Sequence, residues 1–417
     1  MAPDEESTPL TGRGRSLKRD HTKDQVGTIM LFSAKVKRKS TSSDLPTIEL
    51  KDDSSSSSTL NYMWHMLTGS YLNLLLLLMP LAYASVKLQW SDSLIFWLNF
   101  GAMLPLASLL GEFTEELALH TNQTIGGLIN ASFGNAVEIV ISIQALLANE
   151  IRVIQASLIG SIFSNLLLVQ GCCFFFGGLK YPQQSFNSVT LSANTSLLML
   201  SSLAFILPTP YAAYTDTTNE EVLSTSRITS IFLLLMYILL LVFQLKTHAF
   251  LLEDDNDEKP NISFWAAIIG LVSVTVLVSI FSEYLVSSID GFVEGSDISK
   301  TFVGLIILPI VGNGVEHITA VTVARKDKMD LALGIAVGSC AQIALFVMPV
   351  VVIIGWMCDI NMNLNYPSYE IEIYILAILI SMTSTSSGTT NWLGGALLIV
   401  TYIMLAVGFY FEDVEDF

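Results

Sequence analysis

Long apolar stretches recur along the chain from about residue 70 to its end. A helix needs about 20 consecutive apolar residues to cross a bilayer, and about eleven stretches approach or exceed that length. They are roughly 70–88, 94–111, 124–148, 151–176, 188–210, 228–248, 263–286, 301–324, 330–357, 370–386 and 392–411. The pattern predicts an all-α polytopic membrane protein.

The composition supports this prediction. Hydrophobic residues make up 52% of the chain and charged residues only 14%, whereas an ordinary soluble domain has about a quarter charged residues. A large soluble enzyme is therefore excluded. The four cysteines lie in or beside apolar stretches and do not form the pattern of a disulfide framework.

Charge is unevenly distributed along the chain. Residues 1–60 carry ten Lys/Arg and nine Asp/Glu, a net charge of +1, so the total of −17 leaves −18 for the remainder. We expect residues 1–60 to be a disordered cytosolic tail, either regulatory or inert. The basic tail and a mild excess of Lys and Arg in the cytosolic loops place the N-terminus in the cytosol. An odd number of spans then places the acidic C-terminus on the opposite face.

Two similar motifs indicate an internal repeat. Gly134-Asn-Ala-Val-Glu138 resembles Gly312-Asn-Gly-Val-Glu316 at an offset of 178 residues, and Gly160-Ser161 matches Gly338-Ser339 in the same register. Five helices per repeat reverse its orientation in the membrane, which is the inverted-repeat plan of secondary transporters. The predicted organisation is a first transmembrane helix in 61–93, one repeat in 94–248, an acidic segment in 249–262, and a second repeat in 263–417.

Each repeat places one carboxylate near the middle of a predicted span, Glu138 and Glu316. Carboxylates inside a membrane are costly and mark functional sites. Asn135 and Asn313 lie three residues earlier on the same helix faces, and each Gly-Asn pair is expected to break or loosen its helix. Oxygen ligands of these kinds suit a hard cation, so Glu138 and Glu316 are the predicted metal ligands.

Further polar residues on the following helices could complete the site or form hydrogen bonds between helices. They are Ser161, Ser164, Asn165, Ser339 and Gln342. His317 is a candidate for a proton path, with a packing role as the alternative. Glu112, Glu115 and Glu116 are expected at one mouth, where they would attract cations. Asp290 and Glu294 are expected at the other mouth, and solvated loop charges are the alternative for all five.

Two carboxylates at one buried site repel each other, and a divalent cation or protons can neutralise them. Competition between metal and protons is sufficient for antiport. No phosphate-binding loop or set of redox ligands is apparent, so we expect an ion gradient as the energy source, no cofactor, and no enzymatic activity.

The motifs resemble the vacuolar cation/proton exchangers of the calcium/cation antiporter superfamily. The resemblance covers about residues 60–415 and rests on these segments: Thr114–Leu117, Thr124–Leu128, Gly134–Glu138, Gly160-Ser161, Pro309–His317, Lys326–Asp330 and Gly338-Ser339. It implies one extra helix plus two inverted five-helix repeats. It also implies Ca²⁺/H⁺ exchange into vacuoles at Glu138 and Glu316, with Glu115 and Glu116 at the cytosolic access. The implied location is the vacuolar membrane, with the C-terminus lumenal.

The expected partners are Ca²⁺, H⁺ and the lipid bilayer, without nucleic acid, and the oligomeric state is left open. The chain departs from the family at Gln170 and at Thr383–Thr390, where an acidic residue common in relatives is missing. The alternatives are a Na⁺-coupled or Mn²⁺-preferring exchanger, a passive cation channel, or a relative that does not transport.

Overall fold

The computed structural model describes residues 56–209, 218–248 and 259–412, and these residues are almost wholly helical. Of the predicted segments, residues 1–55, residues 249–258 of the acidic segment (with its acidic run 253–258) and residues 413–417 of the acidic C-terminus lie outside the described residues. The helices of the described part are α1 Ser56–Thr68, α2 Tyr71–Lys87, α3 Asp92–Leu119, α4 Gln123–Phe133, α5 Ala136–Leu147, α6 Ile151–Gly178, α7 Ser188–Ile206, α8 Asn219–Thr247, α9 Phe264–Glu294, α10 Lys300–Ala324, α11 Met329–Met357, α12 Ser368–Thr385 and α13 Trp392–Tyr410.

Seven of these helices are long and apolar enough to cross a membrane: α3, α6, α8, α9, α10, α11 and α13. The number is nine if two bent pairs each form one span, α1 with α2 at 86° and α4 with α5 at 43°. The prediction of a polytopic helical membrane protein is therefore confirmed. Residues 61–93, predicted to hold the first transmembrane helix, contain most of α1 and all of α2, and the predicted span 70–88 corresponds to α2.

Polar side chains mark the starts of many helices, because the first backbone N–H groups of a helix lack partners within it. Asn122 accepts a hydrogen bond from the N–H of Ile125 at the start of α4. Thr218 and Glu221 form a reciprocal capping box at the start of α8. These caps place the helix ends where the sequence changes from polar to apolar.

Glycines allow the two halves of the chain to approach closely at the centre. The backbone of Gly160 in α6 lies directly against the backbone of Leu305 in α10, and Gly304 lies against Ala156. A Cβ at Gly160 or Gly304 would collide with these neighbours. Small residues support such crossings in membrane proteins, and this crossing brings α6 and α10 side by side at the level of the predicted site.

The loops gather at two ends of the molecule, which we name the Glu115 end and the Arg152 end. At the Glu115 end, strands β1 (Gln184–Ser185) and β2 (Thr389–Thr390) form an antiparallel pair. At the Arg152 end, Arg152 forms an ion pair with the fully buried Glu370. The predicted site lies between these two ends.

Candidate cation site

Glu138 follows a break between two helices. α4 ends at Phe133, and Asn135 has a non-helical backbone (φ −110°, ψ 30°) before α5 begins at Ala136. Glu138 therefore lies in the first turn of α5, and only 6% of the residue is exposed. The predicted break at the first Gly-Asn pair is confirmed, and it directs this carboxylate into the interior.

Glu316 lies within an unbroken helical segment, Leu308–Ala324 of α10. Of the two Gly-Asn pairs, which could break or loosen their helices, the second does not break its helix. Gly312 has another physical role here, since a Cβ at this position would collide with the Glu138 carboxyl. Glycine at 312 allows the carboxylate from one half to lie against the backbone of the other half.

A hydrogen-bonded amide network surrounds the break in the first half. The Asn135 side-chain amide donates to Gln342 Oε1 at 2.6 Å. The Ser339 hydroxyl donates to Asn135 Oδ1 at 3.0 Å. All three residues are buried, so both polar atoms of the Asn135 side chain are satisfied by the opposite half.

The equivalent asparagine in the second half is only half satisfied. The Asn313 amide donates to the carbonyl oxygen of Ser161 at 3.3 Å, whereas its Oδ1 is buried without a hydrogen-bond partner among the described residues. Asn165 donates to Glu316 Oε2 at 3.4 Å, and its Oδ1 is likewise unpartnered. Buried polar atoms without partners need an explanation, and a role in binding an ion is one.

His317 and Ser164 form a separate contact. His317 Nε2 lies 3.1 Å from the Ser164 hydroxyl, which joins α10 to α6. Neither residue is among those that line the cavity around Glu316, described next. The structure therefore brings the predicted proton-path residue next to the cation site and outside the cavity that leads to it.

A small, partly open cavity of about 40 Å³ leads from the Glu115 end to Glu316. Glu115, Thr114 and Asn130 belong to its wall, as do Gly134 and Gln342. Glu138 is not part of this lining. Of the two carboxylates, Glu316 therefore lines this cavity and Glu138 does not.

Asn130 and Thr114 are cavity residues that our sequence analysis did not single out. The repeat register pairs Asn130 with Leu308, so a search based on matching polar residues passes over Asn130. Thr114 appeared only as part of a motif.

The acidic residues predicted at the mouths have different surroundings. Glu115 lines the cavity, whereas Glu116 is buried and does not. The Glu116 carboxylate accepts hydrogen bonds from the backbone N–H and the side-chain amide of Asn261, both at 2.8 Å. Glu112, half-buried, accepts a weak hydrogen bond from the Ser108 hydroxyl at 3.4 Å.

At the Arg152 end, Asp290 forms an ion pair with Lys300, which also lies 3.3 Å from Glu150. Glu294 is exposed nearby. The structure therefore compensates the charge of Asp290 and leaves Glu294 in a solvent-accessible position.

No group of three or more His, Cys, Asp or Glu side chains in the described ranges could hold a metal ion together. A cation between Glu138 and Glu316 must therefore take amide or backbone oxygens as well. Carboxylate and amide oxygens are the ligands of hard cations, and the free Oδ1 atoms of Asn165 and Asn313 are of this kind.

The chain is similar to characterised proteins over most of its length. The sequence profile of the family "Sodium/calcium exchanger protein" matches residues 91–246 and again residues 266–411. The vacuolar calcium ion transporter of Schizosaccharomyces pombe is 41% identical over 83% of this chain and 86% of its own length. The Ca²⁺/H⁺ antiporter of Aphanothece halophytica is 41% identical over 82% of this chain and 96% of its own.

A solved structure of the Ca²⁺/H⁺ antiporter protein YfkE is also similar. It has a TM-score of 0.71 and 35% identity, and the match covers 81% of this chain and 98% of that one. The double match to the family profile, the identity to these relatives and the shared fold agree. The chain belongs to the sodium/calcium exchanger protein family.

Proposed function

We propose that this protein is a secondary antiporter that exchanges cytosolic Ca²⁺ for lumenal protons. The observation that carries the proposal is the convergence of Glu138 and Glu316 from the two halves, with a cavity that reaches Glu316 from one end. The names of relatives at about 40% identity, vacuolar calcium ion transporter and Ca²⁺/H⁺ antiporter, support the choice of ions.

The geometry supports competition between protons and a divalent cation. Two carboxylates in a poorly solvated interior cannot both stay charged without a compensating positive charge. Ca²⁺ bound by Glu138, Glu316 and the free oxygen of Asn313 supplies that charge, and protons supply it in the unbound state. Each ion displaces the other, so the site carries one species in each direction.

The proposed architecture is eleven spans, one extra helix followed by two inverted repeats. α7 and α12 are added to the nine spans counted by length and composition. The separate profile matches at 91–246 and 266–411 support the repeat. Equivalent π-helical turns also support it, Ser164–Val169 in α6 and Ile343–Val347 in α11.

We place the protein in the vacuolar membrane with the Glu115 end in the cytosol. Two lines support this placement: the vacuolar relative and the bias of Lys and Arg toward the loops at that end. The cavity then faces the cytosol, where Ca²⁺ would enter past Glu115. No resident cofactor takes part, and Ca²⁺ is the substrate.

Purified protein in liposomes with an acidic lumen tests the proposal. With no Na⁺ present, we expect ⁴⁵Ca²⁺ uptake together with alkalinisation of the lumen. A matched preparation of the Glu316→Gln variant is the control, because it removes one carboxylate while keeping the shape of the side chain. Absence of uptake in the wild type would overturn the proposal.

The same assay separates the alternatives. A passive channel gives uptake without a pH gradient, and a Na⁺-coupled exchanger gives uptake only with an imposed Na⁺ gradient. If Mn²⁺ abolishes ⁴⁵Ca²⁺ uptake at a concentration below that of Ca²⁺, the exchanger prefers Mn²⁺. Binding of Ca²⁺ without flux indicates a relative that does not transport.

A further inference from the structure

Basic side chains gather at the Glu115 end, apart from the cation cavity. Lys180 follows α6, and Arg325, Lys326 and Lys328 lie in the turn between α10 and α11. All four residues are exposed. Lys180 Nζ donates a hydrogen bond to the carbonyl oxygen of Arg325 at 2.8 Å, which holds the two loops side by side.

The carboxylates in these loops are engaged elsewhere. Asp327 accepts a hydrogen bond from the Gln184 side chain at 2.9 Å, and Asp330 accepts one from the backbone N–H of Asn187. Four basic and two acidic side chains leave a net charge of +2. In the part of the chain that the structure describes, Lys180, Arg325 and Lys326 form no ion pair. We call these three residues the basic patch.

The basic patch borders a surface that faces lipid. The backbone of Gly178 lies directly against the backbone nitrogen of Trp392. Because Lys180 is two residues after Gly178, Trp392 lies close to the basic patch in space. Trp392 is 48% exposed and Leu179 63% exposed. Exposed tryptophans concentrate at the level of the lipid headgroups.

The helix that starts at Trp392 strengthens this placement. α13 has exposed apolar side chains along its length, among them Leu393, Leu397 and Met404. This surface is suited to contact with acyl chains. The basic patch therefore lies where the hydrocarbon of the bilayer ends and the phosphate groups begin.

We propose that the basic patch binds the headgroup phosphate of an anionic phospholipid in the leaflet around the Glu115 end. A guanidinium can form two parallel hydrogen bonds to phosphate oxygens, and the ammonium groups add positive charge. A headgroup with an additional phosphate monoester should bind more tightly than one with a single phosphodiester. The proposal is independent of which ion the protein transports.

The test measures binding of a short-chain phosphatidylinositol phosphate to the full-length protein in detergent by native mass spectrometry. Short-chain phosphatidylcholine is the neutral comparison. The double variant Lys180→Gln/Arg325→Gln removes two charged hydrogen-bond donors to the phosphate, so it should weaken binding at least about tenfold.

Lys246→Gln/Lys259→Gln is the matched control. It removes the same charge at the same end, from exposed positions outside the basic patch. Salt screens charges that do not touch the lipid, so we expect less than about a threefold effect. Circular dichroism and Ca²⁺ uptake in phosphatidylcholine liposomes check that each variant folds. The single variant Lys326→Gln provides a second test if the double variant does not fold.

Equal weakening in the two double variants would overturn the proposal, because it would show general charge attraction without a built site. Equal binding of the neutral lipid would also overturn it. Inorganic phosphate that displaces the lipid at comparable concentration would indicate a site for free anions. Binding of a peptide with the sequence of residues 253–258, without binding of lipid, would assign the basic patch to this chain's own acidic segment.

Discussion

Glu138 and Glu316 occupy matching places in the sequence but different places in the structure. Glu138 begins a helix after a 43° bend and is buried. Glu316 lies in an unbroken helix and lines an open cavity. Their local sequences differ at one position, Ala136 against Gly314. The local structure of each motif therefore depends on the residues that pack around it.

We attribute this asymmetry to the conformation. If two equivalent halves alternate, each carboxylate should be exposed in turn, and a conformation open to one side should show one of them more open than the other. The cavity at the Glu115 end is what a one-sided open state requires. The predictions below test this comparison, beginning with the largest effect.

The largest effect is expected from neutralising either carboxylate. Glu138→Gln and Glu316→Gln should each abolish Ca²⁺-driven proton release, because each variant removes one of the two charges that hold the cation. Proton flux from liposomes with an acidic lumen is the measurement. Normal exchange in either variant would show that the two carboxylates do not act as a pair.

A second large effect is expected at Gly312. In Gly312→Ala the new Cβ collides with the Glu138 carboxyl, whereas in Gly314→Ala its nearest neighbour is Leu104 Cδ2 at 3.5 Å. The new Cβ must displace the Glu138 carboxyl group, so Gly312→Ala should reduce transport strongly, whereas Gly314→Ala should be tolerated. Initial rates of ⁴⁵Ca²⁺ uptake compare them, and equal rates would contradict the close contact.

Cysteine labelling compares the accessibility of a position next to Glu316 with that of a position near Glu138. In a cysteine-free background, Val315→Cys lies in the cavity wall, whereas Ile141→Cys lies on α5 and is 4% exposed. A membrane-impermeant maleimide added at the cytosolic face should label residue 315 and leave residue 141 unlabelled. Labelling of both positions at similar rates would show that the cavity also opens toward Glu138.

Replacing Asn135 should mainly lower stability, whereas replacing Asn313 should mainly weaken Ca²⁺ binding. Asn135→Ala removes two buried hydrogen bonds and leaves their partners unsatisfied, which should lower thermal stability by about 1–3 kcal/mol per orphaned group. Asn313→Ala removes an oxygen that is free to bind a cation, so it should mainly raise the Ca²⁺ concentration for half-maximal uptake. Thermal unfolding and uptake kinetics on both variants test this, and identical profiles would contradict it.

The smallest effect is expected at the Arg152 end. Lys300→Gln removes the ion pairs to Asp290 and Glu150, and Lys300 is 36% exposed. Ion pairs near the surface contribute less than about 1 kcal/mol. We expect a small loss of stability by thermal unfolding, with normal labelling at residue 315. Loss of that labelling would show that this pair controls the cytosolic opening.

Much of the fold was predictable because each span depends mainly on its own apolar composition. The predicted span 330–357 corresponds to the helix Met329–Met357, and the predicted span 301–324 corresponds to Lys300–Ala324. Neither prediction used information from the rest of the chain. The two central carboxylates were predictable because the repeat appears in the sequence. The bend between α1 and α2 was missed, since composition gives the length of an apolar stretch and not its direction.

Contacts between distant residues could not be predicted in this way. Glu116 bonds Asn261, a residue 145 positions away that follows the acidic run, and no local pattern indicates that partner. The two Gly-Asn pairs read alike, yet only one breaks its helix. That outcome depends on packing, because Gly312 is needed for contact with Glu138 and not for a bend.

The π-helical turns in α6 and α11 have a consequence for comparing sequences. Each turn accommodates about one residue more than a regular α-helix of the same length. Ser164–Val169 contains the site residues Ser164 and Asn165, and Ile343–Val347 directly follows the site residue Gln342. A relative that lacks this extra residue would show a one-residue gap there. If the two sequences are aligned without that gap, every downstream position is shifted by one residue, which is about 100° around the helix. The alignment would then pair lipid-facing positions with interior ones.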